Sequence, residues 1–200
     1  MNDHYYTQIP HSVSDEHTWT AKLGEYSFDF TTDNGVFSKT QIDYGSQVLM
    51  YAAGETDFVD GPLLDLGCGY GPIGLYLARK FPDRQIHLAD INERAVELAT
   101  KNACQNQISN AVIYQSDIYQ NISETDFAGI VINPPIRAGK QVVHQMIEEA
   151  YDYLRDGGKL QIVIQKKQGA PSAKQKMLEV FGQVERIALD RGYWVLESVR

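Results

Sequence analysis

The chain places Leu63-Leu64-Asp65-Leu66 directly before Gly67-Cys68-Gly69-Tyr70-Gly71-Pro72-Ile73-Gly74. A short apolar run closed by glycines reads as a buried strand ending in a sharp turn. Pro72 suits a first helical position, where its missing N–H has no partner to lose. Ile73, Leu77 and Phe81 then recur four apart, with Gly74 and Ala78 beside them, as on one face of a helix. Strand, glycine turn and helix open a parallel α/β sheet, and ligands in such sheets sit beyond the carboxyl ends of the strands.

The rest of the sequence extends that unit. Pro82-Asp83 stops the helix, and Ile86 to Asp90 is a second strand. Asn92 is a suitable cap for a helix that gathers Ala95, Leu98, Ala99 and Asn102 on one face. Residues 111–114 and 129–132 supply two more strands. A helix from about Gly139 carries Val143, Met146, Ile147, Ala150 and Leu154, and Asp156-Gly157-Gly158 breaks it before a strand over 159–164. Residues 171–181 look helical. Two strands, 184–188 and 193–199, flank Asp190-Arg191-Gly192 with no helix between them. The alternation predicts a Rossmann-like α/β fold: a mainly parallel seven-stranded sheet, covered on both faces, with an antiparallel last strand. Residues 26–31 alternate like a strand and 42–53 like a helix, so residues 1–60 are expected as an N-terminal extension packing near the active site of a 61–200 domain.

Composition narrows the classes. At 200 residues, 43% hydrophobic, the chain suits one globular unit and needs no staples. No run of about 18 apolar residues occurs, which excludes a helical membrane span. The first residues lack the basic end and apolar run of a signal peptide. Two cysteines, Cys68 and Cys104, make neither a disulfide framework nor a zinc knuckle, and no His–Cys metal spacing occurs. A reduced, cytoplasmic, metal-free protein is expected. The formal charge of −8 is carried by the first 65 residues, whereas basic side chains exceed acidic ones after Ile136.

Gly69, Gly71 and Gly74 fit G-x-G-x-x-G, and Asp90 follows at the distance of a ribose-binding acid. On spacing alone a nicotinamide or flavin dinucleotide remains open. Two residues favour a different nucleotide. Asp65 aims a carboxylate into the turn, which repels a diphosphate and attracts an ammonium. Pro72 removes one early N–H that a diphosphate would use. Both suit S-adenosylmethionine, with its adenosine and zwitterionic tail.

Val131-Ile132-Asn133-Pro134-Pro135-Ile136 is the sharper motif. Two prolines end strand pairing, since neither has an N–H to give. The carbonyls are thereby released for other work. An exocyclic base amine is a poor nucleophile because its lone pair is delocalised into the ring. The Asn133 side-chain oxygen and the Pro134 carbonyl are two acceptors for its two hydrogens, turning its lone pair toward a methyl carbon. Positioning and electrostatics then carry the reaction, with no strong base.

These motifs resemble the class I S-adenosylmethionine-dependent methyltransferases over residues 61–200. The resemblance implies that Asp65, Gly67, Gly69 and Gly71 line the methionine moiety and that Asp90 binds the ribose hydroxyls. It further implies Asp117, in Gln115-Ser116-Asp117-Ile118, at the adenine amino group, with Ile91 and Ile118 flanking the ring. Asn133-Pro134-Pro135 is similar to the amino-methyltransferase motif, whose members act on adenine N6, guanine N2, cytosine N4 or protein glutamine. Ile136 replaces the aromatic that usually follows, and Phe37, Tyr70, Tyr193 and Trp194 are candidate replacement platforms.

Phe30 to Ser38 and Ile42 to Gln47 resemble the lead-in of the small-domain ribosomal small-subunit RNA guanine-N2 methyltransferases. That resemblance implies a loop over 33–38 near the active site, and a helix opened by Ser46 with amides for the methionine carboxylate. It implies ribosomal RNA or the small ribosomal subunit as partner. Arg137, Lys140, Lys166, Lys167, Lys174 and Lys176 are candidate phosphate contacts. Methylation of another amine, a dinucleotide oxidoreductase and a non-catalytic RNA-binding module are the competing readings.

Overall fold

In a computed structural model of the chain, residues 13–36 and 40–200 are described. Phe37 and Ser38 lie outside them. The elements in chain order are β1 (His17–Leu23), β2 (Tyr26–Thr32), α1 (Tyr44–Gly54), β3 (Leu63–Leu66), α2 (Pro72–Lys80), β4 (Ile86–Asp90) and α3 (Glu93–Gln105). They continue as β5 (Ala111–Gln115), β6 (Phe127–Ile132), α4 (Lys140–Tyr153), β7 (Leu154–Gln165), α5 (Ala170–Phe181), β8 (Glu185–Asp190) and β9 (Tyr193–Val199).

Seven strands form one sheet in the order β5-β4-β3-β6-β7-β9-β8. Its first five strands are parallel, and β9 runs antiparallel to both β7 and β8. The expected Rossmann-like sheet with a reversed last strand is therefore present. After β3 the chain moves outward through β4 and β5, then returns to lay β6 on the other side of β3. That reversal places the carboxyl ends of β3 and β6 side by side, at the switch point where α/β sheets bind ligands.

Successive strand residues face opposite layers. Leu63 enters the core under α1, α2 and α3, while Leu64 and Leu66 enter the core under α4 and α5. Close helix–sheet packing depends on Gly74, where a Cβ would lie 2.5 Å from Leu88 Cγ. Asn92 caps α3 as expected, accepting from the Arg94 and Ala95 amides.

Two features depart from the sequence expectation. Before the expected strand over 26–31 lies another, β1, and the two pair antiparallel as a separate two-stranded sheet. This hairpin packs on α3 through Asn102, which accepts from the Thr31 amide at 2.7 Å and donates to the Thr31 and Tyr70 carbonyls. Secondly, Asp156-Gly157-Gly158 does not interrupt the chain between α4 and the strand. β7 starts at Leu154, because Gly157 donates to the Arg200 carbonyl and Arg200 donates to that of Gly158. Pairing with the end of the chain supplies the hydrogen bonds that keep the glycines extended.

Candidate active site

The turn after β3 is held from the neighbouring strand. Gly67 and Cys68 both donate to the Ala89 carbonyl, and Gly71 donates back to Cys68. Gly67, Gly69 and Gly71 have φ of 78°, 57° and 94°, a region where side chains are strained. A Cβ at Gly69 would meet nothing within 4 Å. The backbone there borders open space.

Two acids lie beneath this turn. Asp65 is fully buried, and its Oδ2 accepts from the Gly74 amide at 2.7 Å. Its Oδ1 is buried without a hydrogen-bond partner among the described residues. Burial pushes the Asp65 carboxyl up to about 7, against the Gly74 hydrogen bond and with a small push from Asp90. Asp90, at the end of β4, accepts from the Gly69 amide at 2.8 Å and from that of Asn92 at 2.9 Å. Burial carries it to about 6, opposed by those amides. An orphaned buried acceptor beside a second carboxylate is a place for a cation. A diphosphate would meet two carboxyl groups that resist ionisation beside more negative charge, whereas an ammonium favours it, so this set fits S-adenosylmethionine better than a dinucleotide.

The end of β5 adjoins Asp90. Ser116 donates its amide to the Asp90 carbonyl, and Gln115 Nε2 donates to the Ile91 carbonyl. Asp117 is exposed in the following turn, where Ile118 takes a φ of 50° and its carbonyl accepts from Ser116 Oγ. Asp90, Ile91, Asp117 and Ile118 thus share one rim of the sheet.

On the other side of the switch point, Asn133 is half-buried just past β6. Its Nδ2 lies 2.9 Å from Ser46 Oγ and 3.4 and 3.5 Å from the Asp43 carboxylate oxygens. Its Oδ1 and the buried Pro134 carbonyl take no hydrogen bond from any described residue. Pro135 accepts from Ala138 as the chain enters a single 3-10 turn over Ile136–Ala138.

Several candidate residues are placed otherwise than their spacing suggests. α1 opens at Tyr44 behind its cap Asp43 rather than at Ser46, and the Asp43 carboxylate takes the Ser46 amide, one of the helix-start amides that the resemblance implies for the methionine carboxylate. Tyr70 is no platform: its ring is buried against Trp19 and Phe30. Ile136 is half-buried against the α4–α5 core. Trp194 also packs there, with the Arg186 guanidinium 4.9 Å above its ring. Tyr193 instead lies against Gly45 and Tyr44, next to the residues that hold Asn133.

Arg137 and Lys140 are exposed just after the Asn-Pro-Pro turn, and Lys166 and Lys167 just after β7. Lys174 is exposed on α5, whereas Lys176 pairs with Glu148 at 2.9 Å. The position of Asp43 and Ser46 next to Asn133 is not legible in their spacing, since 87 residues separate Ser46 from Asn133.

A groove of about 740 Å³ lies elsewhere, between α1 and β8–β9, lined by residues such as Val48, Tyr51 and Ile187. It contains none of the glycine turn or Asn133. Among the described residues no group of three or more His, Cys, Asp or Glu side chains comes together to hold a metal. No helix among them is long and apolar enough to cross a membrane.

Residues 27–197 match the methyltransferase small domain family. The chain is 50% identical to "Uncharacterized protein YbxB" of Bacillus subtilis over 99% of this chain and 98% of that protein. It is 37% identical to ribosomal RNA small subunit methyltransferase C of Haemophilus ducreyi, over 64% of this chain and 39% of the relative. With ribosomal RNA large subunit methyltransferase G of Shewanella baltica the identity is 32%, over 77% and 42%. The chain thus spans about two fifths of the length of these ribosomal RNA methyltransferases. Among solved structures, the T. thermophilus 16S rRNA N2 G1207 methyltransferase RsmC, in complex with AdoMet and guanosine, superposes with a TM-score of 0.83 at 25% identity. That superposition covers 96% of this chain and 52% of RsmC. With a family match that runs from the second strand of its hairpin to the last strand of its sheet, the chain belongs to the methyltransferase small-domain family.

Proposed function

We propose that this protein transfers a methyl group from S-adenosylmethionine to an exocyclic amine, guanine N2 of small-subunit ribosomal RNA. The observation that carries the reading is the pair of acceptors without donors among the described residues, Asn133 Oδ1 and the Pro134 carbonyl, across the switch point from the glycine turn. Two acceptors there match the two hydrogens of an amine. The small-subunit relatives and the guanosine in RsmC support the base and the RNA.

S-adenosylmethionine supplies a methyl carbon activated by sulfonium. The orphaned Asp65 Oδ1 and the backbone of Gly67, Gly69 and Gly71 receive the cationic methionine end. Asp90 accepts from the ribose hydroxyls, Ile91 and Ile118 flank the adenine, and Asp117 accepts from its amino group. Asn133 and Pro134 hold the amine so that its lone pair faces the methyl carbon. A C–N bond forms as the C–S bond breaks, its electrons pass to sulfur, and the methylated nitrogen releases a proton to water. Pro135 keeps the turn rigid and Ile136 packs beside it. Arg137 and Lys140 contact the RNA through phosphates. Of the described residues before 61, Asp43 and Ser46 belong to this site as well as to the fold.

The test incubates the protein and labelled S-adenosylmethionine with ribosomal subunits from cells lacking it, then maps the modified base. Label on a small-subunit guanine N2 is expected. Asn133→Ala should raise the barrier by roughly 2–4 kcal/mol, as for loss of one oriented polar group. Label on adenine, on protein glutamine or on the large subunit would move the substrate. Thermal stabilisation by NAD in place of S-adenosylhomocysteine would overturn the cofactor.

A further inference from the structure

Asn133 serves as an acceptor only one way round. Turning its amide by 180° about the last side-chain bond exchanges Oδ1 for Nδ2 and presents an incoming amine with a donor. The two ends are almost the same size, so packing alone does not choose between them. Hydrogen-bond chemistry must.

The choice is made by α1 and the residue before it, far from β6 in sequence. Ser46 Oγ lies 2.9 Å from Nδ2, and the Asp43 oxygens face the same nitrogen at 3.4 and 3.5 Å. A hydroxyl tolerates either end of an amide, but an ionised carboxylate only accepts. Asp43 therefore admits the NH2 and repels the carbonyl, which leaves Oδ1 on the opposite side. Asp43 is itself fixed. Its Oδ1 takes the Ser46 amide at 3.0 Å, and its carbonyl takes the Gln47 amide at 3.1 Å. Ser46 is 4% exposed. The Tyr193 ring closes over the helix start, where a Cβ on Gly45 would lie 2.9 Å from it.

We propose that Asp43 and Ser46 are positioning residues that lock the Asn133 amide with Oδ1 toward the substrate amine. The proposal rests on the reading of Asn133 as an amine acceptor. A bland alternative is that Asp43 only caps α1. Asn is as good a cap as Asp, so Asp43→Asn separates the two roles. It keeps the cap but can donate as well as accept, and so lets the Asn133 amide turn.

The test uses the full chain with small ribosomal subunits and labelled S-adenosylmethionine, comparing wild type, Asp43→Asn, Ser46→Ala, Asn133→Ala and Asp43→Asn/Asn133→Ala. Asp43→Asn is expected to lower kcat about tenfold or more, the scale of a small misplacement of a reacting group. Its KM, melting temperature and affinity for S-adenosylhomocysteine should stay near wild type. Ser46→Ala should act in the same direction, and Asp43→Asn should cost nothing further on the Asn133→Ala background. Independently of activity, the Asn133 side-chain NH2 signal in 15N NMR should exchange with water faster in Asp43→Asn and Ser46→Ala. Wild-type kcat and exchange in Asp43→Asn, or an equal loss on both backgrounds, overturns the proposal. Wild-type turnover in Asn133→Ala removes the functional reading itself, a distinguishable result.

Discussion

The Gly69 amide donates to Asp90 Oδ2 at 2.8 Å across 21 positions of the chain, tying the glycine turn to the end of β4. The other Asp90 oxygen takes the Asn92 amide at the start of α3. One side chain thus ties the glycine turn to the start of α3. Asp90→Ala should raise the dissociation constant for S-adenosylhomocysteine at least about tenfold, the worth of one or two hydrogen bonds to a charged group. Isothermal titration calorimetry reads this directly, and an affinity within twofold of wild type would leave Asp90 a purely structural role.

The buried carboxyl of Asp65 predicts a pH dependence with a definite sign. Its folded pKa, about 7, is above that of an unfolded aspartate. The folded state therefore holds the extra proton, and the stability this group contributes falls as pH rises toward 7 and is spent above it. A ligand ammonium favours the carboxylate, so S-adenosylhomocysteine affinity should rise over the same interval. Asp65→Asn keeps an acceptor for Gly74 and does not titrate. The difference in melting temperature between wild type and Asp65→Asn, free of ligand, should shrink or invert from pH 5 to 8. A constant difference would refute it.

Asn102 should matter to the whole N-terminal half. It is fully buried and satisfies both the amide and carbonyl of Thr31 as well as the Tyr70 carbonyl. Asn102→Ala strands those three groups away from water and should destabilise the protein by at least about 3 kcal/mol, at about 1–3 kcal/mol per orphaned group. Urea denaturation measures it. A loss under about 0.5 kcal/mol, the scale of an ordinary surface change, would mean that water replaces the side chain.

Arg137 and Lys140 have no ion-pair partner among the described residues and follow the Asn-Pro-Pro turn directly. Reversing both charges, Arg137→Glu with Lys140→Glu, should raise KM for ribosomal RNA several-fold. The salt dependence of binding should become shallower by about one counterion per lost phosphate contact. Cofactor affinity should be untouched. Unchanged RNA affinity and salt slope would place the RNA on another face.

The parallel sheet, its reversed last strand and most helix boundaries are written locally. Apolar runs of four to six residues, glycines at their ends, Pro72 and Asn92 act over one or two turns of chain, and their physics needs no distant partner. The same holds for Gly69, Asp90 and Asn133-Pro134-Pro135, whose spacing places them at strand ends. The hairpin strand over 17–23 was readable too: Trp19, Ala21 and Leu23 are more buried than Thr18, Thr20 and Lys22. Its weak alternation, next to a stronger strand, hid it.

Gly157 and Gly158 look like a break because a glycine pair is extended only when something pairs with it, and here the partner is Arg200. Tyr70 looks like a platform until the hairpin buries it. Nothing in the spacing places Asp43 and Ser46 against Asn133. That arrangement arises because α1 lies over β7 and β9 while β6 runs beside β7. Hydrogen bonds between side chains so far apart in sequence depend on how the layers stack, and stacking is settled by packing the two faces of the sheet at once.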